Sequence, residues 1–142
     1  MSLVQSHQGR SAYASDYAHG PFRLFVAVAC RLGTSSDRIE ALLDTASEWC
    51  VLDSRVALSL GYDLDPLSSS MVMLSRFGAI SGRLERIPLS FVATEGTELT
   101  LEATWFVSRD WPGPTVIGWK GCLERMRFGL DPSDESFYFA EL

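Results

Sequence analysis

The sequence predicts an all-β domain, either a barrel or a sandwich, that includes one or two short helices. Runs rich in β-branched and aromatic residues are short and recur along the chain, and glycine or proline turn signals separate them. Helical patterns do not alternate with these runs, which argues against a fold of βα units. The length of 142 residues is that of a single domain.

The predicted elements follow from apolar runs in chain order. FRLFVAVAC at 22–30 and RIEALL at 38–43 indicate a hairpin whose second strand leads into Asp44. Asp53 and Ser54 indicate the start of a short helix that Gly61 ends. Further strands are predicted at 71–74, 84–92, 99–107, 115–117, 126–130 and 136–140, with turns at 95–97 and a helical turn at 119–125.

The first 20 residues are polar and lack the basic-then-apolar order of a signal peptide. We therefore expect a flexible N-terminal segment at 1–20, followed by the folded domain at 21–142. No apolar run is long enough to span a membrane.

Composition limits the possible partners. A formal net charge of -6 argues against a nucleic-acid or anionic-membrane partner, which would require clustered Lys and Arg. The Gly118-Trp119-Lys120-Gly121 stretch superficially matches a GXXG nucleic-acid loop, but the acidic balance disfavours that interpretation. Three cysteines without close pairing indicate reduced thiols and a cytoplasmic location.

Several chemistries fit the sequence poorly. His7 and His19 both lie in the polar N-terminal segment, too few and badly placed for a zinc site. The sequence contains neither a Gly-x-Ser-x-Gly serine nucleophile motif nor a phosphate-binding glycine loop. Cys50 has no plausible His base nearby, so we interpret it as a packing residue. We therefore predict no metal and no cofactor.

The segment ALLDTASEWCVL at 41–52 carries the chemistry of interest. Apolar residues flank a small polar turn that begins at Asp44. A carboxylate that leaves a buried strand is costly to ionise unless neighbouring groups stabilise it. Taken alone, the segment equally fits a turn aspartate that accepts backbone hydrogen bonds.

Three landmarks in order give this segment a second interpretation. The sequence Asp44-Thr45-Ala46-Ser47 resembles the Asp-Thr-Gly-Ala/Ser signature of retropepsin-like aspartic peptidases, including their single-domain bacterial-type members. Thr115-Val116-Ile117-Gly118 is similar to the second landmark of that family, an apolar pair and a glycine before a short helix. Phe77 to Gly82 resembles the glycine-bearing tip of the family's flap hairpin. The resemblance covers roughly residues 22–139.

The resemblance implies a closed β barrel of the acid-protease half-domain type and peptide-bond hydrolysis by an activated water. Because the chain has one such motif, the second carboxylate would come from Asp44 of another copy, and the two would share one proton. The implied roles are as follows: Asp44 catalytic; Thr45, Ala46 and Ser47 in the active-site turn; Glu48, Gly78, Ala79, Ile80, Ser81 and Gly82 binding substrate; Ile117 and Gly118 supporting the turn.

Two departures from the family pattern leave alternatives open. The family's usual glycine is Ala46 here, which would cost about 1–2 kcal/mol if its φ were positive and would only narrow the site otherwise. The alternative function is therefore an inactive dimerisation or peptide-binding module. Trp119 stands where many viral members carry Arg, so we expect Glu48 to lack that ion pair. The strand at 136–140 is the expected dimer strand, since edge strands invite pairing.

Overall fold

The computed structural model describes residues 7–142, and strands dominate this part of the chain. The helical elements are α1 (Ser54–Ser59) and two 3-10 turns, Pro66–Ser68 and Leu123–Arg125. The strands are β1 Gly9–Ala12, β2 Tyr17–His19, β3 Phe22–Leu24, β4 Ala27–Leu32, β5 Ile39–Leu43, β6 Cys50–Val51, β7 Met71–Ser75, β8 Gly78–Phe91, β9 Glu95–Gly96, β10 Leu99–Val107, β11 Val116–Ile117, β12 Met126–Asp131 and β13 Ser136–Glu141.

A ring of strands forms the body of the molecule. Its hydrogen-bonded order is β10, β6, β11, β5, β4 and β8, and β8 pairs back onto β10 to close the ring. The β8–β10 ladder is long, with Phe91 opposite Leu99 at one end and Arg83 opposite Val107 at the other. β7 adds to β8 at the edge of this sheet. The prediction of an all-β closed barrel is therefore confirmed.

Large apolar side chains fill the barrel. Trp105 on β10 is fully buried, and its indole N–H donates to the carbonyl of Ile87 at 3.2 Å. On β8, Ile87, Leu89 and Phe91 alternate inward and are buried, as a half-buried strand requires. The removal of these side chains from water is the main favourable contribution to folding.

A smaller sheet, in the order β12, β13, β1 and β9, packs against the barrel. Phe137 and Phe139 of β13 lie with ring centroids 5.5 and 5.7 Å from Phe91 of the barrel. β13 pairs with β12 on one side and with β1 on the other. The expectation that 136–140 forms an edge strand available for a dimer sheet is therefore wrong, because the same chain supplies both neighbours.

The described part of the N-terminal segment is structured, which differs from the expected flexible segment at 1–20; residues 1–6 lie outside the described residues. Gly9 packs so closely that a Cβ there would meet the carbonyl oxygen of Thr97 at 2.3 Å. Ser11 and Tyr13 are buried. β2 and β3 form a further hairpin around Gly20 and Pro21. Because β1 pairs with strands far away in sequence, its short polar residues gave no local strand signal.

The remaining elements follow the sequence closely, with local differences. The helix prediction is confirmed, with Asp53 accepting the N–H of Arg55 at 2.8 Å as N-cap. The run at 22–30 divides into β3 and β4, and Phe25 between them is exposed. The predicted turn at 95–97 contains the short strand β9, and the predicted helical turn at 119–125 narrows to one 3-10 turn. Among residues 7–142, no helix is both long and apolar enough to cross a bilayer.

The placement of β1 makes a testable prediction about the domain boundary. A chain of residues 21–142 would lose the β1–β13 ladder and expose an apolar strand edge. We expect a loss on the order of 3 kcal/mol in the free energy of unfolding, which is roughly 10 °C in thermal midpoint. Thermal unfolding and light scattering would measure this loss against a chain that begins at His7. Equal stability of the two chains would contradict the assignment of β1 to the domain.

Candidate active site

The Asp44 turn begins where β5 ends. The backbone N–H of Asp44 donates to the carbonyl of Ile117 at 3.0 Å, and Ser47 N–H donates back to the Asp44 carbonyl at 3.2 Å. The carboxylate Oδ1 of Asp44 accepts the N–H of Ala46 at 2.9 Å, which closes an Asx turn. Main-chain hydrogen bonds thus fix the half-buried carboxylate, and its second oxygen is not used by this turn.

The segment with Ile117 and Gly118 lies directly against this turn. β11 runs parallel to β5, with Ile117 opposite Leu43. A Cβ on Gly118 would meet the carbonyl oxygen of Trp49 at 2.1 Å, so glycine is the residue type that fits this close approach. The next residue, Trp119, donates its N–H to the Ser47 carbonyl at 2.8 Å. These contacts are consistent with the supporting role proposed for Ile117 and Gly118.

Ala46 adopts an ordinary backbone conformation. Among residues 7–142, the one non-glycine residue with positive φ is Glu135. Ala46 therefore carries no left-handed strain, and its methyl group lies at the exposed face of the turn. Of the two alternatives for this position, a narrowed site without backbone strain is the one found.

Glu48 has an ion-pair partner that was not predicted from the residue at position 119. Lys120 Nζ lies 3.8 Å from Glu48 Oε2, and the Lys120 N–H donates to the Glu48 carbonyl at 2.7 Å. The same ammonium lies 5.4 Å from the ring centroid of Trp49. The cation therefore stands one residue after Trp119, the position that led us to expect no such ion pair for Glu48. Because both side chains are more than half exposed, the pair adds little stability.

A hairpin of β7 and β8 covers the turn, and we call it the flap. Ser75 pairs with Gly78, so Arg76 and Phe77 form the two-residue tip. The Ser75 hydroxyl accepts the N–H of Phe77 at 3.1 Å and donates to the Gly78 carbonyl at 3.0 Å. Gly78 has φ of +99°, which suits glycine at this turn.

The flap tip is predicted at 77–82, and the structure places it at the start of that range, at Arg76 and Phe77. Gly78 lies at the tip, whereas Ala79, Ile80, Ser81 and Gly82 lie along β8 opposite β7. Ile80 is buried, and a Cβ on Gly82 would meet the Val107 carbonyl oxygen at 2.4 Å. The burial of Ile80 and the close packing of Gly82 indicate that these residues shape the flap.

A cavity of about 350 Å³ lies between the turn and the flap. The turn and β6 contribute one wall and the flap the other, with Trp111 beside them. Its lining residues are Asp44, Ala46, Ser47, Glu48, Val51, Met73, Leu74, Ser75, Arg76 and Trp111. Larger cavities of about 410 and 540 Å³ lie elsewhere, so volume alone does not select this one. The Asp44 carboxylate distinguishes it.

Sequence reasoning missed the flap wall and Trp111. A strand is predicted at 71–74 and found at Met71–Ser75, but nothing local indicated that it would face Asp44 across the cavity. Trp111, which no part of the sequence motif indicates, is largely buried in the cavity wall. The signal that could have located the tip was Gly78, since a glycine that ends a two-residue turn is typical of a hairpin.

The cysteines are free and buried, as the sequence indicated. Burial raises the pKa of Cys30 far above its ordinary value. A hydrogen bond between Cys50 and Cys122 lowers the pKa of Cys50 and raises that of Cys122. Cys50 also accepts the Gly118 N–H at 3.4 Å, so its sulfur packs under the Asp44 turn. In residues 7–142, no group of three or more His, Cys, Asp or Glu is arranged to hold a metal.

Comparison with known proteins supports the fold. No protein-family model matches the sequence. No curated protein sequence matches it either. A crystal structure of a retropepsin-like aspartic protease from Rickettsia conorii superposes with a TM-score of 0.58 at 18% identity, covering 93% of this chain and 98% of that chain. The chain therefore has a retropepsin-like β fold.

The contact under Gly118 makes a prediction about stability. In Gly118→Ala, the added methyl would collide with backbone oxygens rather than with a side chain able to rotate away. We expect a loss of about 1–3 kcal/mol in the free energy of unfolding, measured by chemical denaturation.

Ala46→Gly is the matched control in the same turn. Because Ala46 does not need a positive φ, the control should change stability by less than about 1 kcal/mol. If Gly118→Ala were as stable as the parent, Gly118 would not constrain the turn.

Proposed function

We propose that this chain is one half of an aspartic endopeptidase whose catalytic pair is Asp44 and Asp44 of a second copy. The observation that carries the proposal is the Asp44 carboxylate, held by main-chain hydrogen bonds at the floor of a flap-covered cavity. A retropepsin-like fold with this residue at the end of β5 supports the assignment.

The second carboxylate has to come from outside the chain. Among the residues that line the cavity, Glu48 is the other acid, and its side chain is exposed and paired with Lys120. A twofold axis next to Asp44 would bring two copies of this carboxylate together, and like charges at short range would retain one proton between them.

The reaction then follows from this shared proton. One carboxylate takes a proton from water as the water oxygen attacks the peptide carbonyl carbon, and the protonated carboxyl of the partner donates to the carbonyl oxygen. When the tetrahedral intermediate breaks down, the protonated carboxyl donates to the departing amine nitrogen as the carbon–nitrogen bond breaks, and the other carboxylate takes the proton from a hydroxyl of the intermediate as the new carbonyl forms. The carboxylates are regenerated with one proton, ready for the next water.

The surface around the turn is suited to a second copy. Thr45 is exposed next to Asp44, where its hydroxyl would bond across the axis. Two exposed aromatic residues, Phe25 and Trp119, flank the turn. Phe25 is next to Val26, whose carbonyl accepts the Leu43 N–H. The backbone N–H of Trp119 donates to the Ser47 carbonyl. Because the terminal strands pair within the chain, we propose that the dimer contact centres on the turn.

The cavity favours an extended peptide with an apolar side chain. Val51, Met73 and Trp111 supply apolar wall, whereas Glu48 and Arg76 place opposite charges among the lining residues. The flap would close over the peptide and exclude water from the reacting carbonyl. We further propose that the chain acts as a single domain in the cytoplasm. Ala46 is the main support for the alternative of an inactive dimerisation or peptide-binding module; its φ is not positive, so the support that is left is a site narrowed by the methyl group.

Asp44→Asn tests the catalytic assignment. Asn keeps the size and the Asx turn but cannot share a proton, so cleavage should fall by about 10²–10⁴-fold. The assay is digestion of a peptide library at mildly acid pH, read by mass spectrometry, with sedimentation showing that the dimer persists.

Asp110→Asn is the control, because Asp110 is exposed and lies outside the cavity lining. Cleavage by Asp44→Asn at the parental rate would remove Asp44 from catalysis.

Thr45→Val tests the proposed axis. Removal of the hydroxyl while the shape is kept should weaken the dimer about tenfold, since each copy loses one hydrogen bond. Sedimentation equilibrium would give the dissociation constant, and thermal unfolding at low concentration should be nearly unchanged. An unaltered dissociation constant would place the axis away from Thr45.

A further inference from the structure

The tip of the flap is held between two aromatic rings. The Phe77 ring lies edge-to-face against Phe22, with centroids 5.5 Å apart and planes at 84°. On another side, Phe77 lies 5.5 Å from Trp111 at 74°. Both arrangements are the ones that aromatic quadrupoles favour. The tip therefore contacts two segments that lie outside the flap.

Trp111 provides a fixed surface for this contact. Its indole N–H donates to the Pro114 carbonyl at 2.8 Å, and Gly113 packs so close that a Cβ there would lie 2.6 Å from the indole ring. The same side chain lines the Asp44 cavity. When Phe77 contacts Trp111, the flap tip is therefore positioned relative to Asp44.

Phe22 belongs to the β2–β3 hairpin, which is anchored at both ends. At the tip of that hairpin, His19 pairs with Phe22, and its Nε2 lies 2.8 Å from Oδ2 of the buried Asp53. At its base, Ala14 and Ala27 exchange two backbone hydrogen bonds of 2.9 Å. Phe22 is thus held by the protein body and contacts the flap from outside.

Asp53 links this hairpin to the segment that supports the active-site turn. Its Oδ1 caps α1, and its backbone N–H donates to the Thr115 hydroxyl at 3.2 Å. Thr115 immediately precedes β11, the strand that carries Ile117. The hairpin and the Asp44 turn therefore share one anchored framework.

We infer that Phe22 is a positioning residue that latches the flap tip over Asp44. The flap needs such a contact because β7 is an edge strand, and Val72 and Leu74 on it are 58% and 84% exposed. Met71, Met73 and Ile80 pack against the protein body, so the tip beyond them is the part of this two-stranded hairpin that depends on the latch. The inference rests on the proposed function in treating the cavity as a substrate site, whereas the latch is measured independently of hydrolysis.

Limited trypsin digestion reports on the latch directly. Arg76 is exposed at the tip, and cutting the bond between Arg76 and Phe77 requires the tip to detach from its neighbours. In Phe22→Ala, the latched state loses one of its two ring contacts. The rate of this cut should rise on the order of 3- to 10-fold, since local opening governs such cleavage.

Matched variants separate the latch from general loosening. Phe22→Tyr keeps the ring and should retain the parental rate. Tyr17→Ala removes an aromatic side chain from the same hairpin, where it lies opposite Leu24, and should leave the Arg76 cut unchanged. Phe22→Leu keeps apolar bulk without a ring and serves if the alanine variant does not fold. Equal Arg76 rates in the parent and in the Phe22 variants that lack the ring would overturn the inference.

Peptide kinetics test whether the latch positions the flap for substrate. In Phe22→Ala, the latched state of the flap should be less populated. KM should therefore rise about 3- to 10-fold, whereas kcat should stay within roughly twofold of the parental value. Parental KM in a Phe22→Ala dimer would overturn the positioning role. If Asp44→Asn retained full cleavage while the tryptic result held, the proposed function would fail and the latch would stand.

Discussion

The close approach of Gly118 to the backbone of residues 47–49 is the constraint on which the candidate site depends. β5 and β11 run side by side, and hydrogen bonds from Asp44, Trp119 and Lys120 join the two segments. A larger residue at 118 would separate these segments and release the turn. The carboxylate is therefore placed by main-chain geometry, and the turn accepts alanine at 46 because that position needs no unusual φ.

The charges near the turn are arranged around this scaffold. Glu48 is paired with Lys120 at the surface, whereas Asp53 is buried and satisfied by His19 and by the first turn of α1. Glu48 and Asp53 thus have side-chain partners, whereas the Asp44 carboxylate accepts a main-chain N–H from its own turn.

Features encoded by neighbouring residues could be predicted, and those encoded by distant partners could not. Certain residue types are required in only a few backbone conformations, so they indicate local structure directly. They predicted the Asp44 turn, the Asp53 cap and the close approach at Gly118. β1 could not be found, because its burial depends on β13 more than a hundred residues away. The cation for Glu48 was missed for a similar reason, since a shift of one residue in a loop decides which side chain reaches it. The extent of the flap tip was predicted wrongly because Gly82 resembles a turn glycine in sequence. In the structure, Gly82 lies within β8, where it permits a close approach to the backbone of Val107.

The terminal sheet has one more consequence. Since β13 finds both neighbours in its own chain, no strand from a second copy is needed to complete this sheet. On the proposed mechanism, a newly made copy would be a folded but inactive monomer. Catalytic output would then grow with the square of abundance until most copies are paired, so dilution alone would be enough to switch it off.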